Sequence, residues 1–532
     1  MRDFRRIALQ GFGAFKSLWD RYGSDVLLLA ALGVVSVFSR WLTLDPIENG
    51  GDPLDNWYFV RQWAHETHFA TWDLNHHTGR FGIHFITWPV QKIFGIHPNC
   101  YYLPPLIASN LVTLLAYVAG RQASGKAAGV IAALLVLECD PLARATSQLR
   151  PEIFECLYTM AGLVCLLGYV GAPVATRRRW LIACSVAMFL AYLAKIQDVF
   201  MLPGVALAMW LGHRRFKDVL LFAAILLGLF LVETSLYAVF TKFWGRLDVI
   251  FHSHLDGPGR PKDFWYLFER FTGARDSVKL VFYPFFFVGP IILAWRTSVK
   301  EKALVLMPAS GLLFMTFLLR GFDPIRVFTI NNDRYLYFAI PPVIVALSVV
   351  LADVGRKAGA WASSLAPKLR AAAGESLAPT LQWNTAALLI GVVGLKVWHE
   401  KGGREHPTED MNRAYVLLND AYARKLPIIA EVASRSRRTA KPRGLHWTFK
   451  GFIRDELLLA PDGSLPWFSY NRNTAAISER FRYIPAVPEL PPSEAQELES
   501  RRCAVTLKVR GSFMRFYPSK GTLPRRCKND GP

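Results

Sequence analysis

Residues 45–100 read DPIENGGDPLDNWYFVRQWAHETHFATWDLNHHTGRFGIHFITWPVQKIFGIHPNC. Six acids (Asp45, Glu48, Asp52, Asp55, Glu66 and Asp73) stand there against three bases, Arg61, Arg80 and Lys92, in a chain that is otherwise basic. Asp52 and Asp55 flank a Pro-Leu pair. A carboxylate held beside a hydroxyl can remove its proton as that hydroxyl attacks, which is general-base chemistry. A plainer role also fits, because Asp55 is placed to cap a helix over 56–66. By charge and spacing alone, solvated loop acids are the favoured reading. Six histidines share the stretch: His65, His68, His76, His77, His84 and His97. They match no compact ligand set such as HExxH, and His76 and His77, being adjacent, would point apart in any regular element. A metal therefore stays unassigned.

A second group of residues carries positive charge. Arg150 and Glu152 flank Pro151, Lys195 and Asp198 bound a four-residue stretch, and Arg326 and Arg334 precede Tyr335-Leu336-Tyr337. Each lies at the end of an apolar run, where a long cation can simply snorkel to the interface. Brought to one face, they would supply the point charges and forks that bind a pyrophosphate or phosphodiester. No P-loop, GxGxxG or DxD pattern accompanies them, so a donor delivered by lipid fits better than one delivered by a nucleotide.

The elements that must position these groups are membrane spans. The 532 residues are 52% hydrophobic and carry a formal net charge of +21, with a mean hydropathy of +0.22. Only 19% are charged, which excludes disorder and coiled coil as readings of the whole chain. Apolar runs near the length needed to cross a bilayer occur at 25–43, 100–119, 127–139, 153–171, 181–194, 199–212, 219–240, 279–295, 303–319, 335–352 and 384–398. Alternate gaps between them hold 20 Lys and Arg against 6 Asp and Glu. Basic loops stay inside, so eleven passes put the N-terminus in the cytoplasm and the C-terminus outside. Arg177-Arg178-Arg179 and Arg214-Arg215 share a side only if 181–212 is a hairpin turning at Lys195–Asp198. The charge excess is thus largely a topology signal rather than a nucleic-acid footprint.

The expected organisation is a cytoplasmic segment 1–24, a transmembrane domain 25–398 with an outer loop 44–99, and an extracytoplasmic domain 399–532. The fold class is mainly α, with a small α/β or α+β tail domain. That tail has strand-like runs at Ala504–Val509 and Ser512–Tyr517, a helix over 408–425, and Cys503 and Cys527 on the side where a disulfide fits. The outer stretch 241–278 carries Phe243, Trp244, Phe264, Trp265, Tyr266, Phe268 and Phe271, an interfacial lid or a set of anchors.

Several segments carry a likeness in order. Asp55-Asn56-Trp57-Tyr58-Phe59 is similar to an Asp-Glu-x-Tyr-Tyr motif after the first span. Gly79-Arg80-Phe81-Gly82 and Phe94-Gly95 are similar to R-x-G and F-G marks, Pro141 with Leu149-Arg150-Pro151-Glu152 to a P…PE segment, and Lys195 to a lysine before the next outer loop. Asn332-Asp333-Arg334-Tyr335 with Pro341-Pro342 is similar to a late R-Y…P pattern. Over about 25–350 the chain thereby resembles the GT-C superfamily of polytopic glycosyltransferases, in the branch of protein O-mannosyltransferases and aminoarabinose transferases.

The resemblance implies a polyprenyl-phosphate-linked sugar as donor and Asp55 as catalytic base, with Asp52 second, which reverses the plain reading of these acids. It implies Lys195, Arg334 and Arg150 as donor-phosphate ligands, and Glu48, Arg80, His84, Glu152 and Tyr58 as substrate-binding residues. Asn56 stands where an acid commonly follows the aspartate, so Glu48 or Asp52 would have to substitute in a two-carboxylate motif. No cofactor is certain, and a divalent metal is left open. The expected partners are the lipid-linked sugar, a glycan, lipid or protein acceptor and membrane lipids, without nucleic acid. The expected place is the bacterial inner membrane, the tail domain being periplasmic. A transporter or flippase for a lipid-linked saccharide is the alternative, with Glu233 as its lone intramembrane charge. A non-catalytic assembly protein with a basic tail is another.

Overall fold

The computed structural model describes residues 23–45, 53, 56–57, 60, 79–240, 244–246, 276–317, 319–322, 325–327, 333–365, 428–434, 505–509 and 512–518. Within them the chain is mainly helical. The helices are α1 (Gly23–Leu42), α2 (Phe81–Phe94), α3 (Pro98–Ser124), α4 (Lys126–Glu138), α5 (Asp140–Thr146), α6 (Pro151–Gly171), α7 (Val174–Ala194), α8 (Leu202–His213), α9 (Phe216–Phe240), α10 (Asp276–Trp295), α11 (Val299–Phe317) and α12 (Ile340–Leu365). Ten of the eleven apolar runs expected from the sequence are helical here, and the eleventh, 384–398, lies outside the described residues. Six helical stretches among the described residues are long and apolar enough to cross a membrane: Gly23–Leu42, Asn99–Ser124, Pro151–Gly171, Phe216–Val239, Val278–Trp295 and Arg334–Ala358. The helices α4 and α8 have 13 and 12 residues, below the length of a full crossing. A short 3-10 stretch, Ile196–Met201, joins α7 to α8, and another, Asp333–Ala339, leads into α12.

The segments between the apolar runs have structure of their own. Residues 44–99 include the amphipathic α2, and 140–152 include α5, whose Asp140 and Arg144 pair one turn apart. Strands β1 (Leu319–Phe322) and β2 (Ile325–Val327) pair antiparallel. In the tail, β4 (Val505–Val509) and β5 (Ser512–Pro518) fall within a residue of the expected runs. They join β3 (Ile428–Ser434), which the sequence did not suggest, in an antiparallel sheet of order β3-β5-β4. The expected helix 408–425 and the residues Cys503 and Cys527 lie outside the described residues.

The helix α6 is the centre of the packing, in contact with α3, α7, α8, α11 and α12. Its apolar stretch is 78% buried, against 17% for Phe216–Val239 of α9, although α9 is the more apolar of the two, with hydropathy 2.4 against 1.8. An apolar surface left uncovered by protein is what lipid covers, and lipid is as apolar as leucine. Helix association there depends on close contact rather than on escape from water. Small residues permit that contact: a Cβ on Gly129 would lie 2.6 Å from the Tyr117 carbonyl oxygen, so α3 and α4 meet backbone to backbone.

Polar ties lock both ends. At one end Asp25 accepts from Tyr117 at 2.7 Å and from Arg121 at 2.6 Å, whereas Arg40, near the opposite end of α1, donates to the Val136 carbonyl at 3.0 Å. At the other end the Asp45 amide donates to Ser147 at 2.9 Å, Tyr102 donates to the Asp45 carbonyl at 3.2 Å, and Gln91 donates to the Trp57 carbonyl at 2.9 Å. The ends of α1, α2 and α3 are thus joined to the segment before α6. That end holds the candidate site.

Candidate catalytic face

The site begins at the N-terminus of α6. Arg150 caps the helix in an extended conformation and Pro151 takes the first helical position, where its missing N–H costs nothing. Glu152 follows and is buried, at 2% exposure. Glu155 and Thr159 lie three and seven residues further on, so all three share one face of α6. A row of polar residues on one face of an apolar span must find partners inside the protein.

Those partners come from the end of α7. At Lys195 the backbone turns extended, with φ −156°, while its amide still donates to the Ala191 carbonyl at 2.8 Å. Its ammonium lies 3.3 Å from Glu152 Oε1 and 3.4 Å from Glu155 Oε2, and it donates to the Arg334 carbonyl at 3.1 Å. The Tyr335 ring centre is 4.7 Å away. An ammonium has three protons to give, and these contacts use them. Arg334 follows the same carboxylate, with Nε 3.6 Å from Glu152 Oε1, and its side chain keeps 25% exposure against 5% for Lys195. Arg150 adds its charge to Glu152 and is half-buried. Lys195 is thus the enclosed cation of the group, and the two arginines are the accessible ones.

Behind Lys195, buried Asp198 accepts from Thr159 at 2.6 Å and faces the buried carboxyl of Glu155. Burial pushes Asp198 up to about 7, against the pull of Thr159 and Lys195. Burial works against the Lys195 ammonium, but Glu155 and Glu152 more than offset it and hold it above its ordinary value. It is charged at any physiological pH.

A second group meets the first across the end of α7. Arg80 caps α2, and His84, one turn later, is fully buried with its ring edge-on to Phe81 at 5.6 Å. Burial first, then Arg246 and Arg80, push His84 down to about 3, so its ring is neutral. A Cβ on Gly82 would lie 2.5 Å from the Ala194 amide nitrogen, and the Gly82 carbonyl accepts from Tyr158 of α6 at 2.8 Å. This close approach seats α2 on the turn that carries Lys195. Glu233, read from the sequence as a lone charge in its span, has partners: Tyr192 hydrogen-bonds it and Arg246 faces it.

Of the residues expected at a site, Lys195, Arg334, Arg150 and Glu152 come together, and Arg80 and His84 lie at the same end. Asp55, Asp52, Glu48 and Tyr58 lie outside the described residues. Asn56, next in the chain to Asp55, is buried and donates to the Leu149 carbonyl at 2.9 Å, immediately before Arg150. Glu155, Thr159 and Asp198 were missed as site residues, although Glu152-x-x-Glu155-x-x-x-Thr159 is a helical face legible in the sequence. Arg246 gave no signal, because nothing local marks which arginine of a long polar segment folds back. Among the described residues no three His, Cys, Asp or Glu side chains converge as metal ligands, and no step below is routed through a metal.

A family model described as dolichyl-phosphate-mannose-protein mannosyltransferase matches residues 78–237, the stretch that contains Arg80, His84, Arg150, Glu152 and Lys195. A comparison with curated proteins gives no match. The chain is similar in structure to ArnT from Cupriavidus metallidurans bound to undecaprenyl phosphate. The identity is 14% and the TM-score 0.54, over 94% of this chain and 99% of that one. For ArnT in the apo state the values are 13% and 0.51, over 95% and 100%. At such identities the likeness is one of fold, and it spans nearly the whole of both chains.

Proposed function

We propose that this chain is a polytopic membrane glycosyltransferase of the GT-C type, a reading supported by the family-model match and the likeness in fold, and that it moves a sugar from a polyprenyl-phosphate-linked donor to an acceptor hydroxyl at the outer face of the membrane, by inverting displacement. The observation that carries the reading is the convergence of Lys195, Arg334 and Arg150 on Glu152 at one end of the helices. The likeness to an ArnT structure bound to undecaprenyl phosphate supports a lipid phosphate as the group they receive.

Arg334 and Arg150 take the donor phosphate, and Lys195 adds its charge from behind. Three cations face Glu152, with the buried carboxyls of Glu155 and Asp198 behind Lys195. When the glycosidic bond breaks, its electron pair leaves with the lipid phosphate, which gains one negative charge. A preorganised cation in a partly dry site stabilises that change in the transition state. The leaving phosphate is stable without protonation, so no strong general acid is needed. Asp55 removes the acceptor proton, with Asp52 second. Glu48, Tyr58, Arg80, His84 and Glu152 line the substrate. Eleven passes put the N-terminus in the cytoplasm and the tail domain outside, in a bacterial inner membrane.

Transfer from a polyprenyl-phosphate sugar in proteoliposomes tests the reading. Loss of a general base costs about 10²- to 10⁴-fold, so Asp55→Asn is expected to lower turnover within that range while lipid binding persists. Full transfer by both Asp55→Asn and Asp52→Asn would sink the assignment.

A further inference from the structure

The end of α7 has an unusual cap. The last carbonyls of a helix lack partners within it and favour a cation nearby. The last turn of α7 holds no basic residue, and the ammonium of Lys195, just beyond it, is turned toward Glu152 and Glu155. The charge comes instead from Arg246, in the segment that follows α9. Its guanidinium donates to the Tyr192 carbonyl and, at 3.4 Å, to the Ala194 carbonyl. It also lies over the Tyr192 ring, 5.3 Å from the centre. Arg246 is buried, at 3% exposure, and Glu233 of α9 provides the opposite charge while accepting from the Tyr192 hydroxyl. The neighbouring Trp244 is 75% exposed, so the segment turns from surface to interior within two residues.

We propose that Arg246 is a positioning residue: together with Glu233 it latches the segment after α9 onto the end of α7, and so fixes the turn that aims Lys195 at Glu152 and Arg334. The role in catalysis rests on the reaction proposed above, whereas the latch itself does not. Arg246 acts through Lys195, because the carbonyls it caps belong to the three residues before that lysine. An outer segment held in this way is coupled to the donor-phosphate end of the site, and any movement that frees Arg246 frees the lysine turn.

Two measurements on the full-length protein test this. In proteoliposomes with a polyprenyl-phosphate sugar, Arg246→Ala is expected to lower kcat/KM for the donor by about 10- to 100-fold, leaving the acceptor KM unchanged. Arg246→Lys should recover part of the loss. In a Lys195→Met background the same Arg246→Ala change should add less than about 3-fold, because residues that act through one another are not additive. Independent losses, or an unchanged donor kcat/KM, overturn the positioning role. The second measurement is amide hydrogen exchange in detergent, with Glu233→Gln as a gentler variant. Both Arg246→Ala and Glu233→Gln should speed exchange at 193–198, including the Lys195 amide, with α3 and α4 unaffected. Unchanged exchange there overturns the latch whatever the activity. If Lys195→Met itself leaves transfer intact, the reaction reading fails instead, and exchange alone decides the latch.

Discussion

Asp198 shows how much a single residue can hide. In the sequence it is one polar residue in a turn, four positions from an apolar helix. In the fold it is wholly buried, accepts from Thr159 at 2.6 Å and faces Glu155. Its pKa rises from an ordinary 3.8 to about 7, chiefly by burial. The native state therefore keeps the Asp198 proton when the unfolded chain has released it. The stabilising contribution of the group is complete below about pH 4, is lost as the pH rises through about 7, and changes no further above that. Asp198→Asn preserves an acceptor for Thr159 without the titration. Thermal unfolding in detergent from pH 4 to 8 should show the wild type losing stability relative to Asp198→Asn up to about pH 7; parallel curves would refute the assignment. Lys195 was legible as a cation at the end of a span, but its three partners were not, since they lie 40 to 139 residues away in the chain. Spacing along a chain carries no information about which distant carboxylate an ammonium will meet.

At the scale of elements, helices were the legible part. Apolar length marks a span because backbone groups in lipid must bond within their own segment. The runs that form β4 and β5 were also visible as strand-like, though not their pairing. The short helix α2 was not separated from the loop around it, because only its packing distinguishes it. That packing hinges on Gly82, where a side-chain carbon would lie 2.5 Å from the backbone of Ala194. Gly82→Ala should force α2 off the Lys195 turn. The expected cost is about 1–3 kcal/mol, typical of overpacking, read as a lower midpoint in thermal unfolding. Donor use should fall as well. An unchanged midpoint would mean that α2 seats elsewhere.

For the whole molecule, the imbalance of 20 bases to 6 acids in alternate gaps predicts orientation. In a variant free of native cysteines, Ala175→Cys beside Arg177–Arg179 should react with an impermeant maleimide only after permeabilisation. Ser253→Cys in the outer segment should react in intact cells; the reverse pattern would invert the topology. By itself the sequence determined the membrane class, the positions of most helices and the ends at which charged residues gather. These follow from local composition, because lipid and water sort residues by polarity one segment at a time. Only the tertiary structure decided that Lys195 is enclosed while Arg334 stays accessible, that Glu155 and Asp198 are buried together behind it, and that Arg246 returns to cap α7. Each of those depends on which helices touch and how closely, and close contact is set by shape across the whole assembly.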